Sequence, residues 1–152
     1  STTGDKEGEL TDTIPDNLEW SAPSSEDVQS VLDSFIGEID QVPPAFSAIK
    51  VDGKRAYDLA RAGKSVELKS RKVTIYSINN VTYDFPIITF TTSVGSGTYI
   101  RSLADDIGKK LGCGAYMSNL RRTVIGEREL SKAYPVSALT EGILQKELEL
   151  TE

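Results

Sequence analysis

The sequence predicts an α+β fold, built from a mostly antiparallel mixed sheet with packed helices. Apolar residues recur at helical spacing in two segments, and other segments alternate or are rich in β-branched residues. Strands and helices follow one another without the regular βαβ repeat of a parallel sheet. A chain of 152 residues is of the size expected for one domain. We therefore expect residues 1–152 to belong to a single domain.

Two amphipathic helices are predicted. Ser24 is a suitable N-cap with Asp27 three residues later, and Gly37 ends the apolar repeat that follows. That first repeat consists of Val28, Val31, Leu32, Phe35 and Ile36. The second consists of Ile100, Leu103, Ala104, Ile107 and Leu111, and Gly112-Cys113-Gly114 follows it. Shorter helices are expected over residues 54–62 and 137–148.

Strands are predicted between these helices. Pro43 and Pro44 prevent a helix from continuing, so the chain after them is expected to be extended, with a turn at Asp52-Gly53. The predicted strands cover residues 45–51, 71–78, 81–83, 87–94 and 115–120.

Composition excludes several classes of site. The chain contains no histidine and one cysteine, Cys113, so it lacks the residues for a Cys/His zinc site, a Ser-His-Asp triad or an internal disulfide. No apolar run reaches the roughly 18 to 20 residues that span a bilayer, and we expect no signal peptide. We expect a cytoplasmic protein without a metal site and without membrane partners.

Charge is distributed unevenly along the chain. The net charge is −6, and residues 1–42 hold eleven acidic residues against one basic residue. Residues 46–76 hold eight basic against three acidic residues, and residues 98–132 hold seven against four. Because salt screens charges beyond about 8 to 10 Å, such local excesses can bind a polyanion on an acidic protein. Charge alone also fits an ordinary solvated surface.

Several segments resemble, in this order and at similar spacing, the TruB family of tRNA pseudouridine-55 synthases. The segments are STTGDKEGEL at residues 1–10, QVPPAFSAIKVDGKRAYDLARAG at 41–63, RKVTIY at 71–76, GTYIRSLADDIGKKLGCGAYMSNLRR at 97–122 and YPVSAL at 134–139. The resemblance covers nearly the whole chain. It implies the pseudouridine synthase fold and an isomerase that breaks the glycosidic bond of one T-loop uridine and reattaches the base through carbon.

The resemblance also implies site residues and partners. Tyr99 would lie against the flipped uracil, Arg101 would pair with the catalytic aspartate, and Leu120 would line the base pocket. The partner would be the T-arm stem-loop of tRNA, and no cofactor is implied. In an extended segment, residues two apart point to the same face. From the residues alone, Tyr99 in the core and Arg101 in a surface ion pair would be the favoured arrangement, and the resemblance reverses that preference.

Six basic residues fall in segments that line the tRNA-binding cleft of the family. Phosphate contacts from such residues position a stem and loop. They are Lys50, Lys54, Arg55, Arg61, Arg121 and Arg122.

One family element is missing from these 152 residues. The family nucleophile is an Asp in a G-x-x-D-P-x-A-T-G segment upstream of the T-T-G-D segment, and nothing like it occurs here. The adjacent Asp105 and Asp106 lie within a helical pattern, where neighbouring side chains do not face each other. We therefore expect the chain to be the later portion of a catalytic domain, inactive alone, which needs the upstream portion of that domain as a partner. A non-catalytic tRNA-binding module or an inactive fragment is the alternative. The family's extra C-terminal RNA-binding domain is expected to be absent.

Overall fold

The computed structural model describes residues 6, 21–44, 50–51, 54–55 and 68–139, with only the backbone at positions 50, 51, 54 and 55. The chain divides into two compact units, residues 1–119 and residues 120–152.

Helix α1 spans Ser25–Asp33 and begins as the sequence predicts. Ser24 is its N-cap, and the Ser24 Oγ accepts a hydrogen bond from the Asp27 N–H at 3.1 Å while the Asp27 carboxylate accepts from the Ser24 N–H. This capping box satisfies two backbone donors at the helix start. These hydrogen bonds to Ser24 lower the pKa of Asp27 below its ordinary value. The helix ends earlier than predicted, so Phe35 and Ile36 lie beyond it.

Three antiparallel strands form the sheet of the first unit. Strand β1 covers Gly37–Gln41, β4 covers Arg71–Asp84 and β5 covers Ile87–Val94, in the order β1-β4-β5. Gly37 pairs with Ile75 and Gln41 with Arg71, so the end of β1 lies beside the start of β4. A separate two-stranded hairpin consists of β2, Lys50–Val51, and β3, Lys54–Arg55.

Helix α2 spans Ile100–Leu111, the segment that the apolar repeat predicts. It ends at Gly112, whose φ of 78° is left-handed. The Cys113 and Gly114 N–H groups both donate to the Gly108 carbonyl, at 3.2 and 3.0 Å. A glycine in the left-handed conformation with such bonds is the common end of a helix.

Both helices pack against the same core. Six buried side chains form one cluster, two each from α1, β4 and α2: Val28, Leu32, Ile75, Ile78, Leu103 and Ile107. Ile88, Phe90 and Val94 of β5 pack against this cluster, as expected for the alternating residues of one strand face. The helices therefore cover one face of the sheet, and the predicted α+β class with antiparallel pairing is confirmed.

In the second unit, the described residues form short elements. Strands β6, Val124–Ile125, and β7, Arg128–Glu129, pair in a hairpin, and 3₁₀ helices follow at Leu130–Lys132 and Val136–Ala138. None of the described residues from 120 to 139 is buried.

Several predicted elements differ in the structure. The strands predicted over 71–78 and 81–83 are a single strand, β4, with register shifts after Ile75 and Asn79. The strand predicted over 115–120 is wrong, because these residues form no extended ladder. Lys54 and Arg55 belong to strand β3, so the helix predicted from residue 54 is wrong at its start, and its remainder lies outside the described residues, as do residues 45–49 and 140–148.

Candidate active site and RNA interface

Tyr99 stands at the junction between the sheet and α2. It is the N-cap of α2, with extended φ and ψ of −100° and 109°, and its side chain makes no capping hydrogen bond. Arg101 is the second residue of the helix itself. The extended segment expected to hold both residues is therefore wrong at Arg101, because the helix begins at Ile100. The alternation of side chains along a strand therefore does not apply to Tyr99 and Arg101, and it does not place them on the same face.

A glycine-containing turn lies between β5 and Tyr99. The Thr98 N–H and Oγ both donate to the Gly95 carbonyl, at 3.3 and 2.8 Å, and the Gly95 N–H donates to the Thr74 carbonyl of β4 at 2.8 Å. Gly97 has a φ of 85°, which a glycine adopts at low cost. The turn thus fixes the start of α2 to the central strand.

The buried amide of Gln41 holds the backbone of Tyr99. Its Oε1 accepts from the Tyr99 N–H at 2.8 Å, and its Nε2 donates to the Tyr99 carbonyl at 3.2 Å. Next to it, the Ser102 Oγ donates to the Val42 carbonyl at 2.8 Å. Gln41 and Ser102 are the two buried polar residues among those that the structure describes. These hydrogen bonds connect the end of β1 and the residue after it to the start of α2.

The N-terminus of α2 is electropositive. Backbone N–H groups at a helix start carry partial positive charge, and the first turn of α2 holds no acidic residue. Arg101, the second residue of α2, adds a full positive charge at this end. The arrangement suits an anion, either a carboxylate or a phosphate.

The two carboxylates of α2, Asp105 and Asp106, both interact with Lys109 of the same helix. Asp105 accepts a hydrogen bond from the Lys109 Nζ at 2.6 Å, one turn later, and this bond raises the pKa of Lys109. Partial burial raises the pKa of Asp106, and the charge of Lys109 opposes that shift. Lys110 donates to the Ser34 Oγ at 2.6 Å and so joins the ends of the two helices.

Three of the four predicted RNA-contacting residues of the first unit, Lys50, Lys54 and Arg55, fall in the β2–β3 hairpin. Lys50 pairs with Arg55, and Val51 pairs with Lys54. Three of the four residues in these two strands are therefore predicted to contact RNA. The two residues between the strands are the predicted Asp52-Gly53 turn, which lies outside the described residues, as does Arg61. Elsewhere in the basic segment, Lys72 pairs with Glu38 of β1.

The remaining predicted site residues lie in the second unit. Leu120 is 49% exposed, and Arg121 and Arg122 are exposed as well. Arg121 borders an open depression of about 450 Å³, which is lined by Arg121, Thr123, Val124, Glu129, Leu130 and Ser131.

The described residues contain no group of three or more His, Cys, Asp and Glu side chains arranged to hold a metal ion. Within the same part of the chain, no helix is long and apolar enough to cross a bilayer.

Sequence reasoning missed Gln41. A glutamine before Val-Pro-Pro gives no periodicity signal, and its partner Tyr99 is 58 residues away in the chain. Its position at the end of a short strand would have indicated burial only if the pairing with β4 had been known.

Comparison with known proteins agrees with the resemblance. The family described as TruB family pseudouridylate synthase (N terminal domain) matches residues 1–100, and the tRNA pseudouridylate synthase B C-terminal domain matches residues 101–151. Proteins named tRNA pseudouridine synthase B are 46% identical in Burkholderia lata, 45% in Burkholderia mallei and 43% in Ralstonia pickettii, each over 91% of this chain. A crystal structure of a Cbf5-Nop10-Gar1 complex is similar at 33% identity and a TM-score of 0.49, over 64% of this chain and 25% of that one.

The matched region is only part of each relative. It spans 42% of the Burkholderia lata protein, 44% of the Burkholderia mallei protein and 43% of the Ralstonia pickettii protein. The two family matches together extend over residues 1–151 of this chain. The chain therefore belongs to the TruB family of pseudouridylate synthases.

Proposed function

We propose that this chain is the later portion of the catalytic domain of a tRNA pseudouridine synthase that acts on uridine 55 in the T-loop. The observation that carries the proposal is the Tyr99–Arg101 segment at the electropositive start of α2, within a chain of this family. The reaction is an isomerisation, so the product keeps every atom of the uridine, and no cofactor is required. We expect it to take place in the cytoplasm.

Tyr99 and Arg101 have separate roles in this proposal. An aromatic ring provides a face on which an extruded base stacks, and stacking offsets the few kcal/mol that unstacking the base costs. A guanidinium holds a carboxylate in a fixed orientation through two parallel hydrogen bonds. Arg101 would orient the nucleophilic aspartate, while Leu120 would contact the base. The partial positive charge at the start of α2 favours the ionised, nucleophilic form of that aspartate.

The aspartate itself would come from the upstream portion of the same domain. No G-x-x-D-P-x-A-T-G segment occurs in these 152 residues. Asp105 is paired with Lys109, and Asp106 is the neighbouring residue on the same helix, so neither is assigned to catalysis. The basic residues Lys50, Lys54, Arg55, Arg61, Arg121 and Arg122 would bind phosphates of the T-arm.

The test is pseudouridine formation in a T-arm stem-loop by the chain joined to, or mixed with, an upstream portion containing the nucleophile segment. Arg101→Ala should lower the single-turnover rate about 100-fold or more, the usual effect of removing one electrostatic contact from an active site. Arg101→Lys should recover little of the rate, because an ammonium lacks the planar fork.

Arg128→Ala is the matched control, since it also removes one arginine charge, from an exposed position on β7. It should leave the rate within about twofold of wild type. Full activity of Arg101→Ala would refute the role of Arg101. Absence of product from the wild-type assembly would refute the proposed function.

A second candidate is a tRNA-binding module without catalysis, favoured by the eight basic against three acidic residues in the segment 46–76. Filter binding of the chain alone to the T-arm, titrated with salt, tests it. Binding through phosphates must weaken steeply as salt rises. A response independent of salt would exclude this candidate, and product formation by the assembly would favour the enzyme.

A further inference from the structure

Gln41 is the most completely buried polar residue among those described, with 1% of its surface exposed. A buried side-chain amide must find partners for both its donor and its acceptor. Both partners of Gln41 belong to one residue, the N–H and the carbonyl of Tyr99. The side-chain amide of Gln41, at the end of β1, therefore binds the Tyr99 backbone with the two hydrogen bonds that a peptide group of a neighbouring strand would make.

This pairing satisfies one backbone donor at the start of α2. The first N–H groups of a helix have no partner within the helix, and a Ser, Thr, Asp or Asn at the N-cap usually provides one. Tyr99 occupies the N-cap of α2 and cannot do so with its ring. The Gln41 Oε1 accepts from a different one of these donors, the N–H of the N-cap residue itself, across the junction between β1 and α2.

The carbonyl of Tyr99 is fixed from two sides. It accepts from the Gln41 Nε2 at 3.2 Å and from the Leu103 N–H, the first helical bond of α2, at 3.0 Å. The neighbouring Ser102 Oγ bond to the Val42 carbonyl involves neither peptide group of Tyr99. Because both peptide groups of Tyr99 are bound, the direction in which its Cα–Cβ bond leaves the backbone is fixed as well.

We propose that Gln41 is the positioning residue for Tyr99: it holds the backbone at the N-cap of α2 so that the phenol is presented in one orientation to the uracil. The inference rests on the proposed function of Tyr99. Gln41 gives the N-cap N–H a partner from outside the helix, the donor that the N3 side chain binds in a capping box. Gln41 does not contact the reacting atoms in this proposal.

Its loss should affect rate more than affinity. A misplacement of about 1 Å in an active site can lower a rate about 100-fold. Binding of tRNA is dominated by phosphate contacts, which Gln41 does not make. A residue needed merely for folding would instead lower rate and binding together, in proportion to the folded fraction.

The variants are Gln41→Met, which keeps the length of the side chain without its polar atoms, and Gln41→Asn, which keeps the amide but is one methylene too short. Ser102→Ala is the matched control, because it removes the neighbouring buried hydrogen bond and leaves both bonds to Tyr99 in place. Two measurements are made on each variant.

The first measurement is amide hydrogen exchange by NMR on the 152-residue chain, and it does not depend on activity. Exchange of the Tyr99 N–H should accelerate about tenfold or more in both Gln41 variants, as expected when a buried donor loses its acceptor. The Leu103 N–H, which reports whether α2 is formed, should remain protected. Ser102→Ala should leave exchange at Tyr99 close to wild type. Unchanged exchange at Tyr99 in Gln41→Met would overturn the inference.

The second measurement is the single-turnover rate and the Kd for the T-arm stem-loop, in the assembly with the upstream portion. Gln41→Met should lower the rate about 10- to 100-fold and change the Kd less than about twofold, while Ser102→Ala keeps the rate within about twofold. A wild-type rate in Gln41→Met, or equal losses of rate and binding, would overturn the inference. If the wild-type assembly forms no pseudouridine, the proposed function has failed, and the exchange experiment still decides whether Gln41 fixes Tyr99.

Discussion

Among the glycines that the structure describes, Gly108 is the one where an added methyl group should disturb the fold most. A Cβ at this residue of α2 would lie 2.1 Å from the Ala115 N, 2.3 Å from the Gly114 carbonyl carbon and 2.5 Å from the Ala115 Cβ. The chain folds back here because the Cys113 and Gly114 N–H groups donate to the Gly108 carbonyl. Two of the three clashing atoms are backbone atoms, so no side-chain rotation relieves the overlap.

The expected cost of Gly108→Ala follows from three contributions. Helix propensity favours alanine by about 1 kcal/mol. Moving residues 114–115 by about 1 Å or more breaks the two hydrogen bonds, worth about 1 kcal/mol each. Residual overpacking costs about 1 to 3 kcal/mol. The free energy of unfolding should therefore fall by about 2 to 4 kcal/mol, which lowers Tm by roughly 5 to 15 °C in a chain of this size.

Urea unfolding followed by circular dichroism measures the effect, and Gly112→Ala is the control. That substitution adds the same methyl group where nothing lies within 4 Å, although at a φ of 78°. Its cost should be the conformational one, about 1 to 2 kcal/mol. A Gly108→Ala variant as stable as wild type, or one less affected than Gly112→Ala, would refute the argument from close approach.

Two further predictions concern α2. Leu103→Ala removes a side chain with no exposed surface from the core and should lower the free energy of unfolding by about 2 to 5 kcal/mol in urea titration; a loss below about 1 kcal/mol would show that this core is not tightly packed. Asp106→Asn should gain stability relative to wild type as pH rises from below 3.8, the ordinary carboxyl pKa, because burial raises the pKa of Asp106 in the folded state. The folded protein then binds the proton more tightly than the unfolded chain does, so wild-type stability falls over this interval while the asparagine is insensitive to it. The difference in Tm should level off above the raised pKa, and a difference that shrinks with rising pH would contradict the assigned shift.

The sequence by itself determined the elements whose signals are local. The capping box at Ser24 and Asp27, the strand Ile87–Val94 and the helix Ile100–Leu111 all depend on residues within a few positions of one another. Their periodicity and caps can be recognised in the sequence without knowledge of the fold. The family likewise follows from the order and spacing of long segments, and it directed attention to Tyr99 and Arg101.

Tertiary structure decided what depends on distant partners. Two predicted strands merge into β4 because β1 and β5 pair along its length, with shifts in register that local sequence does not reveal. Lys54 and Arg55 form a strand because Lys50 and Val51 lie opposite them, which overrides a helical propensity. Tyr99 is fixed by Gln41 from 58 positions away. Such contacts form only after the sheet and α2 have packed together, and so no pattern within one segment encodes them.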